Sequence, residues 1–402
     1  MAACAGGSAL QPLPGSSFDR RHAAAAAAPP TTSAATTYKV LHTFARGADG
    51  AVANAGVVLW NGLLYGTTAF GGTFDAGTVY SVNPSTGAEH VLHSFGSGSD
   101  GGVPYCSLLV VNDQLYGTTF SGGAHRKGTV YTLDPDTGAE RVVFSFNGAD
   151  GMNPLAALIY ANGVLYGTTG FGGAYGKNPA TLAGVVFSLT LAGKETVLHS
   201  FAGSSADGAG AYSAVTNVGS ALYGTTAAGG PNSGGTVYRL ALNGNVETVI
   251  HSFGGAGDGD SSHAALINVG GTLYGTTLDG GAHGAGSVFS VTPSGAERVL
   301  FSFPGGSQSN MGSWGSLASV KGVLYGTTAA GGGGCVSDGG CGTIFSVTVN
   351  GNEKLLHSFG IGNMGATPVS NLIFANGLFY GTTFSGGRDK SGVVYSLKVP
   401  RV

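Results

Sequence analysis

The tetrapeptide Tyr-Gly-Thr-Thr occurs seven times in this chain, beginning at Tyr65, Tyr116, Tyr166, Tyr223, Tyr274, Tyr325 and Tyr380. The intervals are 51, 50, 57, 51, 51 and 55 residues. A second motif, Leu-His-Ser-Phe or a close variant, is interleaved with it and ends at Phe44, Phe95, Phe146, Phe201, Phe253, Phe303 and Phe359. Two interleaved sevenfold series define one repeat, and repeats of roughly 20–50 residues build solenoids, arrays or propellers. Each period holds four short β-forming runs. In the first copy they are Gly56–Trp60, Leu63–Thr68, Thr78–Val82 and Glu89–Phe95. Asn61-Gly62 joins the first two, and the dipeptide returns at Asn162-Gly163 and Asn376-Gly377. Asn-Gly favours the type I′ turn of a tight hairpin. Four antiparallel strands in each of seven repeats predict an all-β fold, a seven-bladed β-propeller. Helical solenoids need a helix in every unit, and the repeat has none.

The boundary between blades is also readable. Six copies carry a glutamate at the start of the fourth strand: Glu89, Glu140, Glu195, Glu247, Glu297 and Glu353. Regular charge suits an exposed edge, so the fourth strand is expected outermost and the strand after the Asp-Gly loop innermost. Ten residues before each motif tyrosine stand Ala55, Cys106, Ala156, Ser213, Ala264, Gly315 and Ser370, all small enough for strands converging on an axis. The folded part begins with an outer strand, Tyr38–Phe44, and ends on a third strand, Val393–Leu397. The N-terminal strand is therefore expected to complete the last blade and close the ring.

Composition narrows the function classes. Glycine supplies 75 of 402 residues and charged residues only 9%, against about 25% in ordinary soluble proteins. A net charge of −3 with scattered Lys and Arg argues against nucleic acid as a partner. No apolar run reaches the roughly 20 residues of a membrane span. Residues 1–37 read as a disordered tether ahead of a propeller over 38–402. Ala23–Ala28 and Pro29-Pro30 lie in the tether and have no amphipathic period. The opening Met1-Ala2-Ala3-Cys4-Ala5-Gly6-Gly7 resembles the end of a bacterial lipoprotein signal, which would make Cys4 a lipidated anchor and the only link to a membrane.

With these motifs in view, the chain resembles the GloVer-type (choice-of-anchor) bacterial tandem-repeat proteins. The matching residues are the Asn-Gly-x-Leu-Tyr-Gly-Thr-Thr run with Gly-Gly after it, as at Asn162–Gly173, together with Gly77–Val82 and Val91–Phe95. The resemblance covers residues 38–399. It implies a propeller outside the cytoplasm, secreted or lipid-anchored at the cell surface, and it brings no catalytic residue with it.

The chain offers few groups for chemistry. His42, His93, His199, His251 and His357 occupy one position in five outer strands, and Phe144 and Phe301 fill it in the other two. A site that phenyl replaces within its own ring reads as packing or a satisfied hydrogen bond. The acids that follow, Asp49, Asp100, Asp150, Asp207 and Asp258, each precede glycine and read as turns, with the aspartate bonding backbone and the glycine at positive φ. No Gly-x-Ser-x-Gly elbow or phosphate loop is present. The mouth loops carry Asp75, Asp279, Asp338 and Asp389, and no spacing selects a pair. No metal or cofactor is expected. Cys335 and Cys341 flank one glycine-rich loop as in a local disulfide of an exported protein, and Cys106 falls in the core.

A binding site belongs where the copies differ. The second-to-third-strand loops vary, longest at Phe171–Gly184 and Gly331–Gly342. The position eleven before each motif tyrosine varies too: Asn54, Tyr105, Leu155, Tyr212, His263, Trp314 and Val369. Both sets emerge on one face of a propeller. The candidate ligand-binding residues are Phe70, Tyr105, Phe120, Arg126, Phe171, Tyr175, Tyr212, Trp314 and Phe384. The leading expectation is a monomeric binding module for a glycan or peptide. The alternatives are a hydrolase or lyase acting on extracellular polysaccharide, favoured by an acid pair in a deep top pocket, and a purely structural surface protein, favoured by a plugged channel.

Overall fold

A computed structural model describes residues 36–96, 99–176, 182–304, 312–333, 341–360 and 362–400. The expected tether, its Cys4 included, lies outside the described residues except for its last two. The first blade pairs Val58–Trp60, Leu63–Thr68, Thr78–Val82 and Glu89–Ser94 in chain order from the axis outward. The tight turn has Asn61 and Gly62 both at positive φ, 46° and 80°, as a type I′ hairpin requires. Five more sheets repeat this order, and the seventh is built from both ends of the chain. There Ile373–Ala375, Leu378–Thr382 and Val393–Lys398 are followed by Thr37–Thr43, in register from Thr37 opposite Lys398 to Thr43 opposite Val393. The fold is an all-β seven-bladed propeller, closed by its N-terminal strand.

The core lies between blades. Phe95 ends the outer strand of blade 1 and packs edge-on against Tyr131 of blade 2, with ring centroids 5.0 Å apart. The same pair recurs at the other six junctions, at 5.0–5.3 Å, from Phe44 on Tyr80 to Phe359 on Tyr395. The third-strand ring lies flat across the glycine of the tetrapeptide. A Cβ on Gly66 would sit 2.4 Å from the Tyr80 hydroxyl, so only glycine fits beneath it.

The threonines of the tetrapeptide hold the ring together. The first donates its hydroxyl to a backbone carbonyl of the next blade, from Thr67 to Cys106 and Thr118 to Ala156 around to Thr382 and Ala55. All seven blades make this bond. The acceptors belong to the small residues read from the sequence, or in blade 6 to Ser313 two residues before one. The second threonine pins the following loop, as where Thr68 donates to the Phe70 carbonyl.

Every outer strand also carries a β-bulge just before the His or Phe position, which the sequence did not signal. In blade 1 it falls at Leu92, since Val79 opposes His93 while Tyr80 opposes Val91. A bulge adds a residue to one strand and re-aims the side chains beyond it. It turns His93 toward the loop leaving the strand. The glutamates are corrected in the same region. The fourth strand is outermost as expected, but Glu89 and Glu140 are half-buried rather than edge charges, and the exposed neighbours are His90 and Arg141.

The candidate binding cup and the blade junctions

Six of the seven inner strands are approached through a residue held at positive φ: Val52, Val103, Asn153, Gly210, Ser261 and Thr367, at 53–67°. For a β-branched residue this region is costly. Five of the six are clamped from two sides. The Val103 amide donates to the Ala76 carbonyl of the preceding blade, and its own carbonyl accepts from Phe120 in the second-to-third-strand loop. Val52 and Thr367 repeat the arrangement with Ser391 and Ala69, and with Cys341 and Phe384. Two residues on, the chain turns down the channel and its side chain points into the mouth. The strain thus sits where it aims the variable position.

Those seven variable positions, Asn54, Tyr105, Leu155, Tyr212, His263, Trp314 and Val369, together line a cup of about 700 Å³ at the channel mouth. Phe120, Phe171 and Phe384 from the loops form the rest of its aromatic wall. Tyr105 packs edge-on to Phe120 at 5.7 Å. A continuous arc runs from Phe171 to Tyr212 (6.0 Å), His263 (5.0 Å) and Trp314 (4.7 Å). Gly170 makes room for the arc, because a Cβ there would meet the Tyr212 ring at 2.5 Å. Trp314 remains 44% and Phe384 40% exposed, so these rings are available to a ligand. Below the cup an open neck of about 350 Å³ is lined by Ala55, Cys106, Ala156, Ser213, Gly315 and Ser370 among others.

Among the described residues no Asp, Glu, Lys or Arg lines the cup. Burial holds His263 down to about 4, so its imidazole is uncharged at neutral pH, with Nε2 3.1 Å from the Ser261 hydroxyl. Burial raises the Tyr105 and Tyr212 phenols, which stay protonated.

Three candidate residues stand elsewhere. Phe70 occupies the same repeat position as Phe171, but buried Ala69 precedes it in place of Gly170; its backbone pairs with Ala51 and its ring faces solvent. Tyr175 is 59% exposed on its loop. Arg126 sits in a left-handed turn, its amide donating to Gly123. Neither lines the cup. Of the mouth acids, Asp279 pairs in a short ladder with Asp260, and burial raises both carboxyls. Neither of these reaches the cup, and Asp338 lies outside the described residues. So does Cys335, while Cys341 is buried. Cys106 is a buried free thiol, its Sγ 3.1 Å from the Thr118 hydroxyl.

A second kind of cluster lies between the outer strands. His93 Nε2 is 3.0 Å from Asp100 Oδ2, and Glu140 from the next blade completes a group whose ligand atoms lie within 4.8 Å of one another. His42 joins Asp49 at 3.2 Å with Glu89, and His199 joins Asp207 at 3.3 Å with Glu247. The fourth group is His251 with Asp258, at 3.0 Å, and Glu297. Partial burial, with the neighbouring aspartate, pushes Glu89, Glu140 and Glu297 up to about 7. The aspartates bond backbone amides as turns do, but only Gly50 and Gly151 after them take positive φ. Gly101, Gly208 and Gly259 instead enter short ladders.

Family comparison matches the Gloeobacter/Verrucomicrobia repeat over residues 30–212 and 177–395. The chain belongs to that family. No curated protein matches it in sequence. Among solved structures it is similar to an oligogalacturonate lyase in complex with manganese, at 14% identity and a TM-score of 0.53, over 91% of each chain. It is also similar to an oligogalacturonate lyase from Vibrio parahaemolyticus, at 10% identity and a TM-score of 0.58, over 91% of this chain and 98% of that one. A third likeness is the extracellular domain of a one-component system from B. thetaiotaomicron, at 10% identity and a TM-score of 0.56, over 89% of this repeat protein and 40% of the other. At such identities the likeness is one of fold.

Proposed function

We propose that this repeat protein is an extracytoplasmic binding module whose cup takes a neutral glycan. The observation that carries the reading is the combination of partly exposed aromatic rings and an absence of charged groups along the described lining. The C–H faces of a sugar stack on such rings, and a preformed apolar pocket with a few polar groups is the usual form of a small-ligand site. Asn54, Thr367, the tyrosine hydroxyls and His263 supply those polar groups. An acidic polysaccharide would bring carboxylates to a wall whose described residues include no cation to meet them. Hydrolysis or elimination needs an acid or base at the substrate, and the described lining offers only His263 and the phenols of Tyr105 and Tyr212, which burial keeps protonated. Binding is therefore favoured over catalysis.

The two tryptophans provide the test, since Trp314 lines the cup and Trp60 lies in the inner strand of blade 1. Titrating the W60F protein with neutral oligosaccharides should shift Trp314 emission and give saturable binding. Saturation by acidic oligosaccharides or peptides alone would overturn the reading, and turnover of a bound glycan would replace it with the enzymatic one.

A further inference from the structure

The blade junctions hold ligand sets that the cup does not use. We propose that the four complete His-Asp-Glu groups are divalent-cation sites of the zinc class, each offering one imidazole nitrogen and two carboxylate oxygens. Imidazole with carboxylates is a donor set suited to zinc, and three protein ligands with an open fourth position is a familiar zinc arrangement.

The geometry fits. Two ligands on a tetrahedral ion, each about 2.0–2.1 Å from it, lie roughly 3.3 Å apart. The His-to-Asp separations are 3.0–3.3 Å. The glutamate comes from the neighbouring blade, and its carboxylate oxygen lies within 4.8 Å of the other two ligand atoms. Supporting bonds orient the aspartate. Ala45 N donates to Asp49 Oδ2 while Oδ1 faces His42, and Gly101 N donates to Asp100 Oδ1 while Oδ2 faces His93. Outer-shell bonds of this kind fix a ligand's direction. The imidazole is held in turn by the phenylalanine two residues on, His93 against Phe95 at 4.8 Å. Finally, Oε1 of Glu89, Glu140, Glu247 and Glu297 is buried without a hydrogen-bond partner, as is Oε1 of Glu195 at the junction that carries Phe144. A cation would satisfy it.

The remaining junctions serve as internal controls. One has Phe144 in place of histidine, and another has Phe301. At the third, Tyr38 takes the glutamate's position and stacks on His357 at 4.2 Å and 5°. The loop there carries Asn363 in place of aspartate.

The test is stoichiometry. The full chain, stripped with chelator, loaded with zinc and desalted, should retain four ions by elemental analysis and melt higher than the stripped protein. H93F places at one junction the residue that two others already carry, so it should fold and retain three. Replacing His42, His93, His199 and His251 together with Phe should abolish retention. Zinc retained equally by the fourfold variant would be adventitious surface binding and would overturn the proposal. So would zero retention by the folded wild-type chain, leaving the groups as hydrogen-bonded, proton-carrying clusters. Glycan binding by the fourfold variant should be unchanged, which separates this proposal from the reading of the cup.

Discussion

The Thr382 hydroxyl donates to the Ala55 carbonyl at 2.7 Å, joining residues 327 positions apart across the seam where the ring closes. It is the closing member of seven like bonds, and both groups are buried. Thr382→Val keeps the shape and leaves the carbonyl without its donor, at a cost of about 1–3 kcal/mol. Chemical denaturation should show this loss with an unchanged m-value. A loss below a few tenths of a kcal/mol would mean that the carbonyl has another partner.

The closing strand should matter far more. A chain beginning at Ala51 lacks Thr37–Thr43 and Phe44, exposes the Val393–Lys398 edge and uncovers Tyr80 and Tyr395, both fully buried in the intact ring. At roughly 25 cal/mol per Å² of apolar surface, the loss is a large share of a typical domain's stability. The truncated chain is expected to aggregate or melt far below the intact one. Equal melting temperatures would refute this account of closure.

Gly66→Ala tests the packing of ring on glycine. The added methyl would overlap the Tyr80 hydroxyl, and overpacking of this kind costs about 1–3 kcal/mol. Gly62→Ala, with nothing near its Cβ, should cost less and only through its positive φ. Thermal melts of the two variants give the comparison.

In the cup, Phe120→Ala with Phe171→Ala should weaken glycan binding at least tenfold, or about 1.4 kcal/mol. Both rings are only partly buried, so the melting temperature should move little. Normal binding with a much lower melting temperature would assign the rings to packing against Tyr105 and Tyr212.

In chelator, stability should depend on pH in an unusual direction. Partial burial raises Glu89, Glu140, Glu195, Glu247 and Glu297 from an ordinary 4.5 to about 7. Between those values the folded chain binds more protons than the unfolded one, so stability falls as pH rises. His263, held down to about 4, and His357, also lowered, act oppositely over part of this range, but two imidazoles are outnumbered by five carboxyls. The carboxyls are partly solvated, which reduces the effect. Melting temperature in chelator should fall between pH 5 and 7, and glutamine at the five positions should flatten the profile. A rise over that interval would mean that the glutamates are ionised throughout.

The strands were readable because sevenfold repetition makes each boundary recur, and the closing strand followed from counting which strand each end of the chain supplies. The seven mouth positions could be found as the places where copies disagree. The inward turn of Glu140 could not, since a charge at a strand start reads as an edge until the bulge at Val143 and the neighbouring blade are in place. The partnership of His93 with Asp100 was hidden for the same reason. They stand seven positions apart, and only the bulge at Leu92 turns the imidazole toward the loop. Phe70 and Phe171 show the opposite difficulty: they hold equivalent positions in the repeat, yet only Phe171 lines the cup.

The register of the closing pair has a mechanical consequence. Thr37 lies opposite Lys398, so the two ends of the propeller leave it side by side. A pull between them would load the pair like a zipper, breaking hydrogen bonds one after another rather than all in shear. The ring would open at its seam before the other six blades come under load. A pull between the N-terminal end and a glycan held in the cup would bypass part of that seam, so tension on a bound ligand and tension on the chain ends would meet different resistance.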